Sequence, residues 1–118
     1  MHMTLHEAET LVRSVFEDNR VLSSTALSIA RALVQSEAAG QSGHGLRRVP
    51  AYVKQVRSGK VDGQAQAQLA RTRPAVLAID AAYGFAYPAL DLAVANLPAI
   101  VREQGIAFAA IGRSHHAG

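Results

Sequence analysis

The sequence contains no cysteine. That excludes disulfides and thiolate metal sites, and it agrees with a cytoplasmic protein. Aromatic residues are few, three Phe and three Tyr, with no Trp. Base-stacking platforms for nucleic acid are correspondingly scarce. No apolar run reaches the roughly eighteen residues of a membrane span. The first ten residues carry His2, His6, Glu7 and Glu9 without an apolar centre, so they do not read as a secretory signal. No Gly-x-Gly-x-x-Gly follows an expected strand, and Gly43-His44-Gly45 does not fit a phosphate loop.

What is present is a globular composition, 49% hydrophobic over 118 residues, with a net charge of +3. The basic excess gathers at Arg47, Arg48, Lys54, Arg57 and Lys60. Such a run reads as a solvated helix face, as a site for an anionic substrate or cofactor, or as a nucleic-acid contact. The scarcity of aromatics counts against the last.

The expected fold class is α/β. N-terminal helices precede a βαβ unit with parallel strands, all of it part of a larger domain. Residues 1–58 form the helical region and 59–118 begin the sheet region. Thr4 and Glu7 spell a capping box before the stripe Leu5, Ala8, Leu11, Val12, Val15 and Phe16. Ser23 or Ser24 is expected to cap a second helix with Leu27, Ala30, Leu33, Val34 and Ala38 inside, stopped by Gly40. A third helix is expected over 45–58, with Leu46, Val49, Val53 and Val56 inward and Pro50 near its start. Gly59 ends it. A short strand is possible around 68–71. Apolar runs at 75–80 and 106–111 read as strands. A helix over 88–103 joins them, with Leu90, Ala93, Val94, Leu97 and Val101 inside, a disturbance at Pro98 and a stop at Gly105. Strand, helix, strand at this length implies a βαβ crossover with parallel strands.

Two groups of residues suggest chemistry. His44, Arg48 and Tyr52 recur every four residues, and on one helix face they offer an imidazole, a carboxylate clamp and a phenol. His115 and His116 follow the second expected strand, where ligands of α/β sheets bind. Each residue also has a plainer reading: helix-start, solvated or packing residues for the first group, surface loop histidines for the second. Together they suggest an active site assembled from distant parts of the chain. A metal site is not expected, because no carboxylate is spaced with the histidines and a guanidinium stands among them.

The stretch Ala39-Gly40-Gln41-Ser42-Gly43-His44-Gly45-Leu46-Arg47-Arg48-Val49-Pro50-Ala51-Tyr52 resembles the signature of the malate/L-lactate dehydrogenase family of the second type. Ala78-Ile79-Asp80, Tyr83-Gly84-Phe85 and Ile111-Gly112-Arg113-Ser114-His115-His116-Ala117-Gly118 resemble its later blocks, in the same order. The resemblance implies oxidoreduction between NAD or NADP and a 2-hydroxy acid or 2-oxo acid such as malate or lactate. Cyclic imino acids and ureidoglycolate serve some members. It implies His116 as catalytic acid/base, Arg48 as holder of the substrate carboxylate, and His44 and Tyr52 as pocket residues. His115 falls at a variable position and receives no role. Gly43 stands where the family usually has serine, and Tyr87 where it often has glutamine. Both departures bear on substrate more than on reaction. Members are much longer, so the chain is expected to be the N-terminal part of such an enzyme, a homodimer when complete, and inactive alone. The competing expectations are a non-catalytic helical binding or dimerisation module and a basic nucleic-acid module.

Overall fold

The computed structural model describes residues 2–117, which form two compact units dividing between Gln64 and Ala65. The first is helical. Helix α1, Leu5–Asp18, starts at a complete capping box: the Thr4 hydroxyl accepts from the Glu7 amide and the Glu7 carboxylate from the Thr4 amide. It buries Ala8, Val12 and Phe16 at four-residue intervals, while Leu5 and Leu11 of the expected stripe are exposed. Helix α2, Ser23–Ala38, packs against α1 and buries Thr25, Ala26, Ile29, Ala30, Leu33 and Val34. Leu27 is only half-buried and Ala38 is exposed. Neither serine caps α2. Its N-cap is Leu22, and the Ser23 hydroxyl instead donates to Glu17 Oε2 at 2.5 Å and accepts from Arg13 Nη2 at 2.7 Å. Residues 59–64 stay with this unit: Val61 is buried and the Gly63 carbonyl accepts from the Leu22 amide at 2.9 Å.

The second unit is a three-stranded sheet in the order β1-β2-β3, with β1 at Gln68–Arg73, β2 at Val76–Asp80 and β3 at Phe108–Gly112. Strands β2 and β3 are parallel and in register from Val76↔Phe108 to Asp80↔Gly112, joined by helix α4, Ala86–Gln104. This is the expected crossover. The exposed β1 adds an antiparallel partner to β2. Pro98 lies inside α4 without ending it, and Gly105 closes the helix at φ 82°.

The inward face of α4 differs from the expected stripe. Ala86, Ala89, Ala93 and Ile100 are buried, whereas Leu90 and Val101 are exposed and Val94 is 73% exposed. Ala89 and Ala93 pack with Ile79 and Ala81, beside Ala109 and Ile111. Small side chains let the helix approach the sheet closely; Leu92 and Leu97 pack beside them, while Leu90, Val94 and Val101 fall outward. By strand alternation the other sheet face carries the registered row Ala70, Ala78 and Ala110. A shallow concavity of about 470 Å³ lies there, bounded by Asp80 and Arg113. No helix among the described residues is long and apolar enough to cross a membrane.

Candidate functional site

The segment carrying His44 and Arg48 is not the start of a long helix. Two single 3-10 turns, Ser42–His44 and Leu46–Arg48, precede helix α3, which covers only Val49–Arg57. The cause is Pro50. Proline has no amide to offer an earlier carbonyl, so it costs least in a helix's first turn, and α3 begins immediately before it. Gly45, with ψ −138°, separates the two turns.

His44, Arg48 and Tyr52 therefore do not share one helical face. His44 is exposed on the first 3-10 turn and Arg48 is half-buried at the α3 N-cap. Tyr52 is 1% exposed and Leu46, expected inside, is 36% exposed. At about 100° per residue, Tyr52 lies about 60° from Val49 and about 40° from Val56, so it belongs to the apolar face. Tyr52 is the core residue of α3, flanked by half-buried Val49, Val53 and Val56.

The turn is held from within. The Gln41 carbonyl accepts from the His44 amide at 3.0 Å, and the Gly45 carbonyl from the Arg48 amide at 3.0 Å. Arg48 Nε donates to the Gly43 carbonyl at 2.8 Å, which fixes the guanidinium along the turn and leaves its Nη groups as further donors. Glu37 Oε1 of α2 accepts from the Leu46 amide at 3.1 Å. Gly45 is packed so closely on α2 that an added Cβ meets Glu37 Cβ at 3.0 Å and Glu37 Cα at 3.1 Å. Gly45→Ala is thus expected to destabilise the protein by about 1–3 kcal/mol, the usual cost of overpacking. Thermal denaturation checks this; an unchanged Tm would contradict the close approach.

In the second unit, the carboxyl ends of β2 and β3 are fastened together. Asp80 closes β2, and Arg113 follows β3 at φ 50°. Arg113 grips Asp80 with two donors, Nε to Oδ1 at 2.9 Å and Nη2 to Oδ2. Its guanidinium also lies 4.9 Å from the Tyr83 ring centroid. The Arg113 hydrogen bonds come first in holding the Asp80 carboxyl below its ordinary value near 3.8, followed by the Ala82 amide. The folded chain thus binds this proton more weakly than the unfolded chain does. The pair's contribution is complete above that ordinary value and is lost as pH falls through the lower folded one. Both side chains are well exposed, so the contribution is small. Thermal melts of Asp80→Asn and the parent are expected to differ near neutral pH and to converge in strong acid. A difference independent of pH would contradict the pairing.

The strand-to-helix turn beneath this pair bonds its amides from Ala81 to Gly84 within the chain. The Ala81 amide donates to the Gly112 carbonyl, Ala82 to Asp80 Oδ1, Tyr83 to the Arg113 carbonyl and Gly84 to the Ala81 carbonyl. The turn also anchors the segment after β3, because the Gly84 carbonyl accepts from the His115 amide at 3.0 Å. His115 is 9% exposed with its ring edge-on to buried Phe85, centroids 5.4 Å apart. His116 is exposed, its ring stacked on that of His115 at 4.8 Å and 20°. An accessible imidazole thus stands just past the carboxyl end of a parallel strand.

Residues 3–118 match the profile described as malate/L-lactate dehydrogenase. The chain belongs to this family. The (2R)-3-sulfolactate dehydrogenase (NADP(+)) of Chromohalobacter salexigens is 41% identical over 98% of this chain and 34% of its own length. The Δ1-pyrroline-2-carboxylate/Δ1-piperideine-2-carboxylate reductase of Pseudomonas putida is 37% identical over 93% of this chain and 32% of its own. The crystal structure of Δ1-piperideine-2-carboxylate reductase from Pseudomonas syringae pathovar tomato superposes with a TM-score of 0.96 at 30% identity, over 100% of this chain and 36% of that one. The chain spans about a third of the length of the curated relatives it matches. Within the family frame, His44 and Arg48 lie on one backbone-braced turn of the first unit and His116 in the second. Asp80, Arg113 and His115, which fix the segment before His116, carry no role by residue type and spacing alone. A signal for the first two was present: an Asp ends one apolar run and an Arg follows the next by two residues in the parallel register.

Proposed function

We propose that this chain is the substrate-handling part of an NAD(P)-dependent oxidoreductase acting on small carboxylates that carry a 2-hydroxy or cyclic 2-imino group. The observation that carries the reading is the accessible His116 imidazole beyond the carboxyl end of β3, in a chain of this family. Malate and lactate are not the compounds named for the two curated relatives above. Sulfolactate and the cyclic imino carboxylates share a carboxylate beside the reacting carbon, and this shared group defines the proposed substrate class.

His116 acts as the acid/base: it takes the hydroxyl proton during oxidation and returns a proton to the oxygen, or to the ring nitrogen of an imine, during reduction. Histidine suits both directions because its proton exchanges near neutral pH. Arg48 holds the substrate carboxylate through its Nη donors, with Nε engaged at the Gly43 carbonyl. His44 lines the substrate pocket from the same turn. Tyr52 supports that lining from the core. A nicotinamide nucleotide, when bound, exchanges the hydride at C2, and no residue of this chain is assigned to hold it.

The test is steady-state kinetics of the whole enzyme with NADH and NADPH. The panel contains 2-oxo acids, including one bearing a second anionic group, and cyclic 2-imino acids. Reduced nucleotide is expected to be oxidised with at least one class. No reaction with any of them would favour a non-catalytic binding module.

A further inference from the structure

We propose that His115 is a positioning residue for His116, setting the plane of the acid/base imidazole through a ring stack anchored on Phe85. This rests on the reading of His116 given above. The backbone leading to His116 is tied at three successive points: the Gly112 carbonyl to the Ala81 amide, the Arg113 carbonyl to the Tyr83 amide, and the His115 amide to the Gly84 carbonyl. The Ser114 hydroxyl also donates to the His115 carbonyl at 2.7 Å. His116 is the first residue beyond the last of these ties, and its side chain is exposed. Among the described residues no hydrogen bond holds its ring. Its ring contact is the His115 imidazole, nearly parallel at 20° and 4.8 Å.

His115 is fixed where His116 is not. Its amide is bonded, its side chain is buried, and its ring edge rests at 75° on Phe85, which is 2% exposed. Edge-to-face and offset-stacked pairs are the preferred aromatic geometries. The order Phe85, His115, His116 therefore carries the rigidity of the sheet-to-helix turn outward to a ring that otherwise rotates about two bonds. An acid/base group aimed at its substrate reacts faster than one that samples many orientations. His115 needs only its planar ring for this, not its nitrogens.

Three variants of the whole enzyme separate these properties. His115→Phe keeps the planar ring, His115→Leu fills the space without a plane, and His115→Ala removes both. With the best substrate, His115→Leu and His115→Ala are expected to lose about tenfold in kcat with KM within about twofold, as for an orientation effect. His115→Phe is expected to stay within about threefold of the parent. If His115→Ala does not fold, the comparison of Leu with Phe decides alone. Equal losses in Phe and Leu would overturn the proposal, since the nitrogens would then be what matters. So would unchanged kcat in Leu, or a change confined to KM. His116→Ala serves as the control. Its failure to slow turnover would remove the acid/base reading and this inference with it, whereas a slow His116→Ala beside an unaffected His115→Leu would overturn this inference only.

Discussion

Replacing His116 by alanine in the whole enzyme is expected to cut turnover by about 10² to 10⁴, the usual contribution of a general acid or base. The fall should appear in kcat and in kcat/KM alike, because proton transfer belongs to the transition state. Stability should be nearly untouched. His116 is exposed, and the ties that hold the segment act through Gly112, Arg113 and His115. Nucleotide binding, followed by fluorescence of the reduced nicotinamide, should persist as well, since no residue here is assigned to it. Near-parent turnover would remove the proposed mechanism and leave the family resemblance as one of fold.

Arg48→Ala is expected to act mainly on substrate binding. A charge-assisted hydrogen bond contributes about 1.5–3 kcal/mol, which corresponds to roughly ten- to hundredfold in KM. Some loss of kcat should accompany it, because Arg48 Nε also bonds the Gly43 carbonyl and its removal loosens the turn bearing His44. Arg48→Lys should rescue poorly. An ammonium lacks the planar fork for a carboxylate and has no Nε to engage Gly43. A KM unchanged in Arg48→Ala, measured with the same substrate, would show that the carboxylate is held elsewhere.

The parts of the fold that rest on local chemistry were legible in the sequence. Thr4 and Glu7 announce the start of α1. Gly40, Gly59 and Gly105 follow the ends of α2, α3 and α4 with φ of 82°, 81° and 82°. Two compact apolar runs around an amphipathic segment of helical period point to the parallel pairing of β2 and β3. What depends on which side of a helix meets its neighbour was read less well. On α3, the four-residue recurrence of His44, Arg48 and Tyr52 suggested a shared polar face. Pro50 shortens the helix, and Tyr52 lies about 40° beyond Val56 on the buried side of the helix, next to the arc of Val49, Val53 and Val56. On α4, Ala93 and Leu97 of the expected stripe meet the core, but close approach to the sheet adds Ala89 and turns Leu90, Val94 and Val101 outward. Strand β1 bears out the possible short strand at 68–71 and runs two residues further, and its trace is fainter because it is exposed along its length.

At the candidate site, the same distinction holds. His44, Arg48 and His116 stand out by residue type and motif. The groups that orient them do not. Arg48 is braced by a backbone carbonyl, which no side-chain pattern reveals. Asp80 and Arg113 meet only once β2 and β3 are aligned in parallel, and the role of His115 depends on the depth of Phe85.

The central claim is that this chain handles the substrate of a hydride transfer at the carbon beside a carboxylate. The most direct measurement uses reduced nicotinamide nucleotide deuterated at its reactive ring carbon, with the whole enzyme and its best 2-oxo or cyclic 2-imino acid, and mass spectrometry of the product. The account predicts one deuterium at C2 of the product in the parent, and label transfer slowed by about 10² or more in His116→Ala. Product without deuterium at C2, or label transfer at the parent rate in His116→Ala, would contradict it.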